Sequence, residues 1–156
     1  MRMMFAAVIV AALLKPPALP PEVECVRVVD GDTIVVEEDG RRVSVRLLGV
    51  DTPEVVHPTK GVEPYGPEAS AFTKKLLTGK PVRLVEDTVS APYDRFRRRL
   101  AWVFLADGTC VNEELVRLGC GRAYTEFKVD PILETKLQLL EADAKANRRG
   151  LWGLGG

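Results

Sequence analysis

Histidine and cysteine are scarce in this sequence, which narrows the chemistry that its side chains can perform. There is one histidine, His57, and there are three cysteines, Cys25, Cys110 and Cys120, with no Cys-x-x-Cys spacing. Protein zinc sites are built mainly from clustered cysteine and histidine ligands, so neither a zinc enzyme nor a thiol enzyme is indicated. Cys110 and Cys120 flank a short predicted helix, and the pattern fits either a disulfide between them or two inert buried thiols.

A surplus of positive charge is also missing. Lysine and arginine together number 22, and so do aspartate and glutamate. Overall charge therefore does not draw this protein to polyanions, and any contact with nucleic acid must be made by a local cluster of cations.

A hydrophobic run long enough for an ordinary membrane span is lacking at the N-terminus. Residues 3–14 are apolar, follow a basic Arg2 and precede a proline-rich stretch, whereas a spanning helix needs about 20 residues. This pattern is typical of a secretory signal, so residues 1–20 are predicted to be a signal peptide or an uncleaved anchor, with secretion or a periplasmic or cell-envelope location. The remaining residues, 21–156, are long enough for one domain with a single core.

Residue patterns predict a sheet followed by helices. Residues 26–50 are rich in β-branched side chains and contain the Asp39-Gly40 turn signal, which indicates about three strands, and two more are predicted at 81–87 and 99–105. Helices are predicted after Pro67, from Asn112 as N-cap to about Leu118, and from Asp130-Pro131 to near Gly150. The prediction is an α+β fold with a five-stranded OB-type barrel and three helices, although the spacing also permits another α+β arrangement.

Acidic side chains lie where two predicted strands end. Asp32 follows the first strand and Asp51 ends the third, within the stretch RLLGVDTPE, and the backbone carbonyl of Thr52 lies beside them. If both aspartates reach one rim of the barrel, these hard oxygen ligands suit calcium. Taken singly, each aspartate also fits an ordinary turn role. Glu54, three residues beyond Asp51, is placed to orient a water molecule or accept its proton.

Arginines occur in two places that suit a phosphate ligand. Arg46 begins the stretch RLLGVDTPE, and residues 95–99 read Arg-Phe-Arg-Arg-Arg directly before a predicted strand. Charge runs are usually solvated, but arginine offers planar, paired donors that match a phosphodiester. One arginine from each place is therefore predicted to hold one phosphate.

Longer stretches of the sequence closely resemble the staphylococcal nuclease family. They are GDT at 31–33, VRLLGVDTPE at 45–54, HPTKGVEPYGPEASAFTKKLL at 57–77 and LAWVFLADGTCVNEELVRLG at 100–119. The resemblance implies an OB-fold barrel with three helices and a monomeric, calcium-dependent phosphodiesterase. Its substrates would be DNA and RNA, single-stranded or locally melted, and its products would carry 3′-phosphates and 5′-hydroxyls.

The resemblance also implies a role for individual residues. The implied roles are calcium ligation by Asp32, Asp51 and the Thr52 carbonyl, catalysis by Arg46, Glu54 and Arg98, and substrate binding by Arg95 and Tyr124. Where the family often has Tyr-Gly-Arg, this chain has Phe96-Arg97-Arg98, so one hydroxyl is lost and a glycine is replaced by a cation. The family motif, counted back from Leu100-Ala101-Trp102, implies Arg98, with Arg97 or Arg99 as alternatives if the loop register differs.

A second function class is an inactive OB-fold module that binds nucleic acid or protein. Such a module is expected to lose its acidic ligands first, because unpaired carboxylates repel phosphate. All three acidic positions, Asp32, Asp51 and Glu54, are retained, which favours the enzyme.

Overall fold

The computed structural model describes residues 18–55, 59 and 61–155. The predicted signal or anchor segment, residues 1–20, lies almost wholly outside this range, and so does His57. None of the helices in the described ranges is long and apolar enough to cross a membrane.

The strands of the described chain are β1 (Glu22–Asp30), β2 (Thr33–Glu38), β3 (Arg41–Leu47), β4 (Val50–Asp51), β5 (Pro81–Val85), β6 (Arg99–Leu105) and β7 (Arg122–Ala123). Five of them close into a barrel, with the order β1-β2-β3-β6-β5 around it. Neighbouring strands of the barrel run antiparallel except β3 and β6, which are parallel. The helices are α1 (Gly66–Leu77), α2 (Val111–Arg117) and α3 (Pro131–Ala146), followed by a 3-10 turn, Gly150–Gly153. This architecture confirms the predicted α+β fold with a five-stranded barrel and three helices.

The core fills the barrel and the space beneath the helices. On β2 the side chains of Ile34 and Val36 are fully buried, and on β3 those of Val45 and Leu47 are. These positions alternate along each strand, as expected for side chains that point to one face of a sheet. Helix α1 adds Ala69 and Leu77 to this cluster.

Strand register brings the predicted site to one end of the barrel. Arg46 on β3 lies opposite Thr33 on β2 and opposite Leu100 on β6. The backbone amide of Leu47 donates to the carbonyl of Asp32 at 2.9 Å. The β1–β2 turn, the end of β3 and the loop before β6 therefore meet at the same rim.

Helix α2 begins differently from the prediction. Asn112 was predicted to be its N-cap, but Cys110 holds that position and Asn112 lies inside the first turn. Its side-chain oxygen accepts from the amide of Val103, and its side-chain nitrogen donates to the carbonyls of Leu48 and Ala101. The prediction was wrong because the side-chain amide of Asn112 hydrogen-bonds to backbone groups of other elements instead of to the first turn of α2. By contrast, α3 begins at Asp130-Pro131 as predicted, and Asp130 caps it by accepting a hydrogen bond from the amide of Ile132.

The three cysteines are free and buried. Burial raises the pKa of each of these thiols to about 11, so they are protonated at neutral pH. Because the thiolate is the reactive form, they are structural groups. The structure therefore favours the inert-thiol alternative over a disulfide between Cys110 and Cys120.

The turn before β6 holds an arginine in a backbone conformation that favours glycine. Arg97 has φ of 62°, and its amide donates to the Asp94 carbonyl at 3.0 Å. At the position of Arg97, the staphylococcal nuclease family, which this sequence resembles, often has glycine. Because a left-handed conformation costs a side-chain-bearing residue about 1 kcal/mol, Arg97→Gly is expected to raise the free energy of unfolding by about that amount. Urea titration would measure this as a higher midpoint with an unchanged slope, and a lower midpoint would contradict it.

Candidate active site

A cavity of about 330 Å³ opens at the rim of the barrel. Six of the eight predicted site residues line it, and the two that do not are Thr52 and Arg95. The complete lining is Val29, Asp30, Asp32, Thr33, Arg46, Asp51, Glu54, Arg98, Tyr124 and Phe127. Segments that are far apart in sequence thus contribute acids, arginines and aromatic rings to one space.

Arg46 is held rigidly at the base of this cavity. Its Nη1 donates to the carbonyls of Leu47 at 2.6 Å and Val50 at 2.7 Å. Its Nη2 lies 3.2 Å from Asp51 Oδ1 and 3.3 Å from Asp32 Oδ2. The residue is only 5% exposed, so its guanidinium is fixed in direction before any ligand arrives.

Aromatic rings cover the same guanidinium. The carbon Cζ of Arg46 lies 5.5 Å from the ring centroid of Tyr124 and 5.8 Å from that of Phe127. Tyr124 is positioned by the short β4–β7 pairing, because its amide donates to the carbonyl of Gly49 at 2.9 Å. Its hydroxyl donates to Glu126. The rings shield this part of the cavity from water and strengthen the electrostatic interactions beneath them.

Asp32 is oriented by neighbours that donate to both of its carboxylate oxygens. Oδ1 accepts from the hydroxyl of Thr33 at 3.0 Å, and Oδ2 accepts from the amide of Thr52 at 2.9 Å. The backbone of Thr52 therefore takes part in the site by donating this hydrogen bond to Asp32. Asp32 is buried, whereas the Asp51 side chain is half exposed.

Negative charge outweighs positive charge in the cavity. Four carboxylates line it, including Asp30, to which the sequence assigned no role, and they face two guanidiniums. Burial, followed by the charge of Asp32, raises the pKa of Asp51 to about 6, although Arg46 opposes this shift. Burial and Asp32 also raise the pKa of Asp30. An added cation would relieve this repulsion.

The ligand set fits a hard divalent cation that is only partly enclosed by protein. Within the part of the chain that the structure describes, no three His, Cys, Asp or Glu side chains are grouped to hold a metal ion by themselves. Asp32 and Asp51 supply two carboxylates near one point. Magnesium and calcium sites that act on phosphates commonly complete such a pair with backbone carbonyls, water and substrate oxygens.

The arginine run divides between the cavity and the barrel wall. Arg98 lines the cavity, and its Nε donates to Asp94 at 2.6 Å. Arg99 instead pairs with Glu38 at 3.0 Å, and Arg97 occupies the left-handed turn position. Of these three arginines, Arg98 is the one that lines the cavity together with the acids.

A second cavity of about 660 Å³ adjoins the first and shares Arg98, Tyr124 and Phe127 with it. Arg95 lies here, stacked over the Phe96 ring at 4.7 Å. Phe96 is 64% exposed and Tyr93 is 58% exposed, although both carry large aromatic rings. Sequence reasoning missed Tyr93 and Phe127 as cavity residues, since isolated aromatic residues in loops carry no periodic signal.

Known proteins are similar in sequence to this chain over most of its length. The family model described as staphylococcal nuclease homologue matches residues 44–153. Thermonuclease of Staphylococcus hyicus is 39% identical over 127 residues, which cover 81% of this chain and 73% of that protein. Thermonuclease of Staphylococcus intermedius is 50% identical over 97 residues, covering 62% and 56%. An uncharacterized endonuclease of Escherichia coli O157:H7 is 35% identical over 130 residues, covering 81% and 74%. The extent of these matches and the closed barrel together establish that the chain belongs to the staphylococcal nuclease family.

Proposed function

We propose that this protein is a calcium-dependent nuclease that hydrolyses phosphodiester bonds in DNA and RNA and leaves 3′-phosphates and 5′-hydroxyls. The observation that carries the proposal is the placement of Asp32 and Asp51 within 3.3 Å of one nitrogen of Arg46. Glu54 and Arg98 line the same cavity. Acids for a cation and guanidiniums for a phosphate thus occupy one space.

Each side chain has a defined part in this proposal. Asp32, Asp51 and the Thr52 carbonyl would hold calcium, which when bound would supply positive charge beside the phosphate and promote ionisation of water. Glu54 orients the attacking water or accepts its proton.

The two arginines bind the phosphate oxygens and stabilise the negative charge that builds up on them during attack. Arg46 is fixed by two backbone carbonyls, and Arg98 by Asp94. The buried setting of Arg46 strengthens its interactions, because water screens them less there.

The larger cavity is proposed to bind the bases next to the scissile phosphate. Its aromatic rings offer stacking surfaces that tolerate any base, and unpaired strands expose the base faces that stack. Arg95 and Tyr124 would bind the substrate there. This arrangement favours single-stranded or locally melted nucleic acid over an intact duplex.

The protein is proposed to act as a secreted or cell-envelope monomer.

Thr52 provides a test of how the metal site uses its residues. Its hydroxyl is buried, with the residue 1% exposed, and has no hydrogen-bond partner among the described residues. Thr52→Val removes this unsatisfied group while keeping the shape, so stability is expected to stay level or rise by about 1 kcal/mol. The backbone carbonyl is retained, so calcium-dependent cleavage should continue. Thermal melts and cleavage rates measure both effects, and loss of cleavage in the folded variant would show that the hydroxyl is required.

Cleavage assays test the proposed function directly. The purified protein is incubated with denatured DNA, or with RNA, in calcium, in magnesium, and with a calcium chelator, and the new ends are identified. Cleavage that requires calcium and leaves 3′-phosphates is the expected result. Binding without cleavage under all of these conditions would favour the inactive OB-fold module instead.

A further inference from the structure

A reciprocal pair of hydrogen bonds fixes the backbone of Glu54 in the structure. The amide of Glu54 donates to Oε2 of Glu63 at 2.9 Å, and the amide of Glu63 donates to the carbonyl of Glu54 at 2.9 Å. Glu63 thus bonds to both backbone polar groups of Glu54. These bonds join the two ends of the loop between β4 and α1.

Helix α1 anchors Glu63 in turn. The amide of Gly66, at the start of α1, donates to the carbonyl of Glu63 at 3.0 Å. A Cβ at Gly66 would lie 2.8 Å from the Glu54 carbonyl oxygen, so glycine permits the close approach of the helix to the loop. The inner face of α1 packs on the barrel through the buried residues Ala69 and Leu77. A continuous set of contacts therefore links the barrel core to the backbone of Glu54.

We propose that Glu63 is a positioning residue that holds Glu54 at the cavity by accepting the hydrogen bond from its backbone amide. This inference rests on the proposed function, in which Glu54 handles the attacking water. Glu54 lies in a loop, where the backbone is less constrained than in a strand. Its position at the cavity therefore depends on contacts of this kind. Misplacement of a catalytic group by about 1 Å can lower a rate on the order of 100-fold.

The charge of Glu63 offers a competing explanation that variants can separate. Glu63 also contributes, as a minor cause, to the raised pKa of Asp51. Glu63→Gln removes the charge but keeps a side-chain oxygen that accepts a hydrogen bond, whereas Glu63→Ala removes both. A near-wild-type cleavage rate in Glu63→Gln therefore indicates that Glu63 acts by positioning Glu54. Equal losses of rate in Glu63→Gln and Glu63→Ala indicate that its charge is what matters.

Steady-state cleavage of denatured DNA in saturating calcium tests the proposal. Glu63→Ala is expected to lower kcat on the order of 10- to 100-fold with little change in KM, and Glu63→Gln to stay near the wild type. In a Glu54→Gln background, Glu63→Ala should cause no further loss, because its effect passes through Glu54. A full additional loss in that background, or a wild-type rate for Glu63→Ala, would overturn the proposal.

Two further measurements keep the test decisive. If Glu63→Ala is too unstable to assay, Glu63→Asp takes its place, because it keeps the charge but its shorter side chain withdraws the carboxylate from the Glu54 amide. A loss of kcat that is absent in the Glu54→Gln background is then expected, and a wild-type rate overturns the proposal. Failure of the proposed function itself is distinguishable, since the wild-type protein would then not cleave DNA.

Discussion

Arg46→Lys is expected to lower the rate of calcium-dependent cleavage by roughly 100- to 1,000-fold, because one preorganised guanidinium is lost from the transition state. Lysine keeps the positive charge but cannot contact two carbonyls and two carboxylates from one rigid fork, as Arg46 does. Lysine is chosen over alanine because a charge is retained beside buried Asp32, which limits the loss of stability. Single-turnover rates on denatured DNA measure the effect.

A matched substitution nearby controls for general effects of exchanging arginine for lysine. Arg99 lies on the neighbouring strand β6, pairs with Glu38 and Glu86, and lines neither cavity of the site. Arg99→Lys should therefore cleave at close to the wild-type rate. Equal cleavage rates for Arg46→Lys and the wild type would show that Arg46 is not a catalytic residue.

Asn112→Ala is expected to lower the free energy of unfolding by about 3–5 kcal/mol, since several buried backbone groups lose a partner at once. The side chain is fully buried, accepts from Val103 at 2.8 Å, and donates to Leu48 at 2.8 Å and Ala101 at 3.1 Å. It thereby joins α2 to β6 and to the residue that follows β3. The total stability of a domain is about 5–15 kcal/mol, so this loss is a large fraction of it.

Thermal and denaturant unfolding measure the consequence for Asn112. A fall in Tm of roughly 10–20 °C is expected for Asn112→Ala. Asn147→Ala is the control, because Asn147 is exposed at the end of α3 and its side chain donates to the Asp143 carbonyl, so its loss should stay within about 1 kcal/mol. Similar melting temperatures for the two variants would contradict the central role of Asn112.

Strand patterns were well determined by local sequence, but the use of particular polar residues was not. The β-branched runs place β1, β2 and β3 close to where they form, because side-chain alternation is a local property. Asn112 shows the limit of such reasoning, since a helix N-cap and a buried bridge use the same amide group. Which one forms depends on carbonyls of residues that are distant in the chain.

The candidate site shows the same division. The aspartates after two strands and the arginine run were visible in the sequence, and the family resemblance assigned their roles. Asp30, Glu63 and Phe127 were not recognised, because each reaches the site or its supporting loop through the fold rather than through a local motif. Among the arginines of the run, the family resemblance selected Arg98, and the fold places that residue in the lining of the cavity.

By itself, the sequence determined the elements, the family and the kinds of group available for chemistry, since periodicity, turn residues and shared motifs are all properties of neighbouring residues. Only the tertiary structure decided which groups meet. Strand register brings Asp32, Arg46 and Arg98 to one rim, and burial there raises the pKa of Asp51 to about 6. Both effects depend on distances and solvent exclusion that arise when segments far apart in the chain pack together.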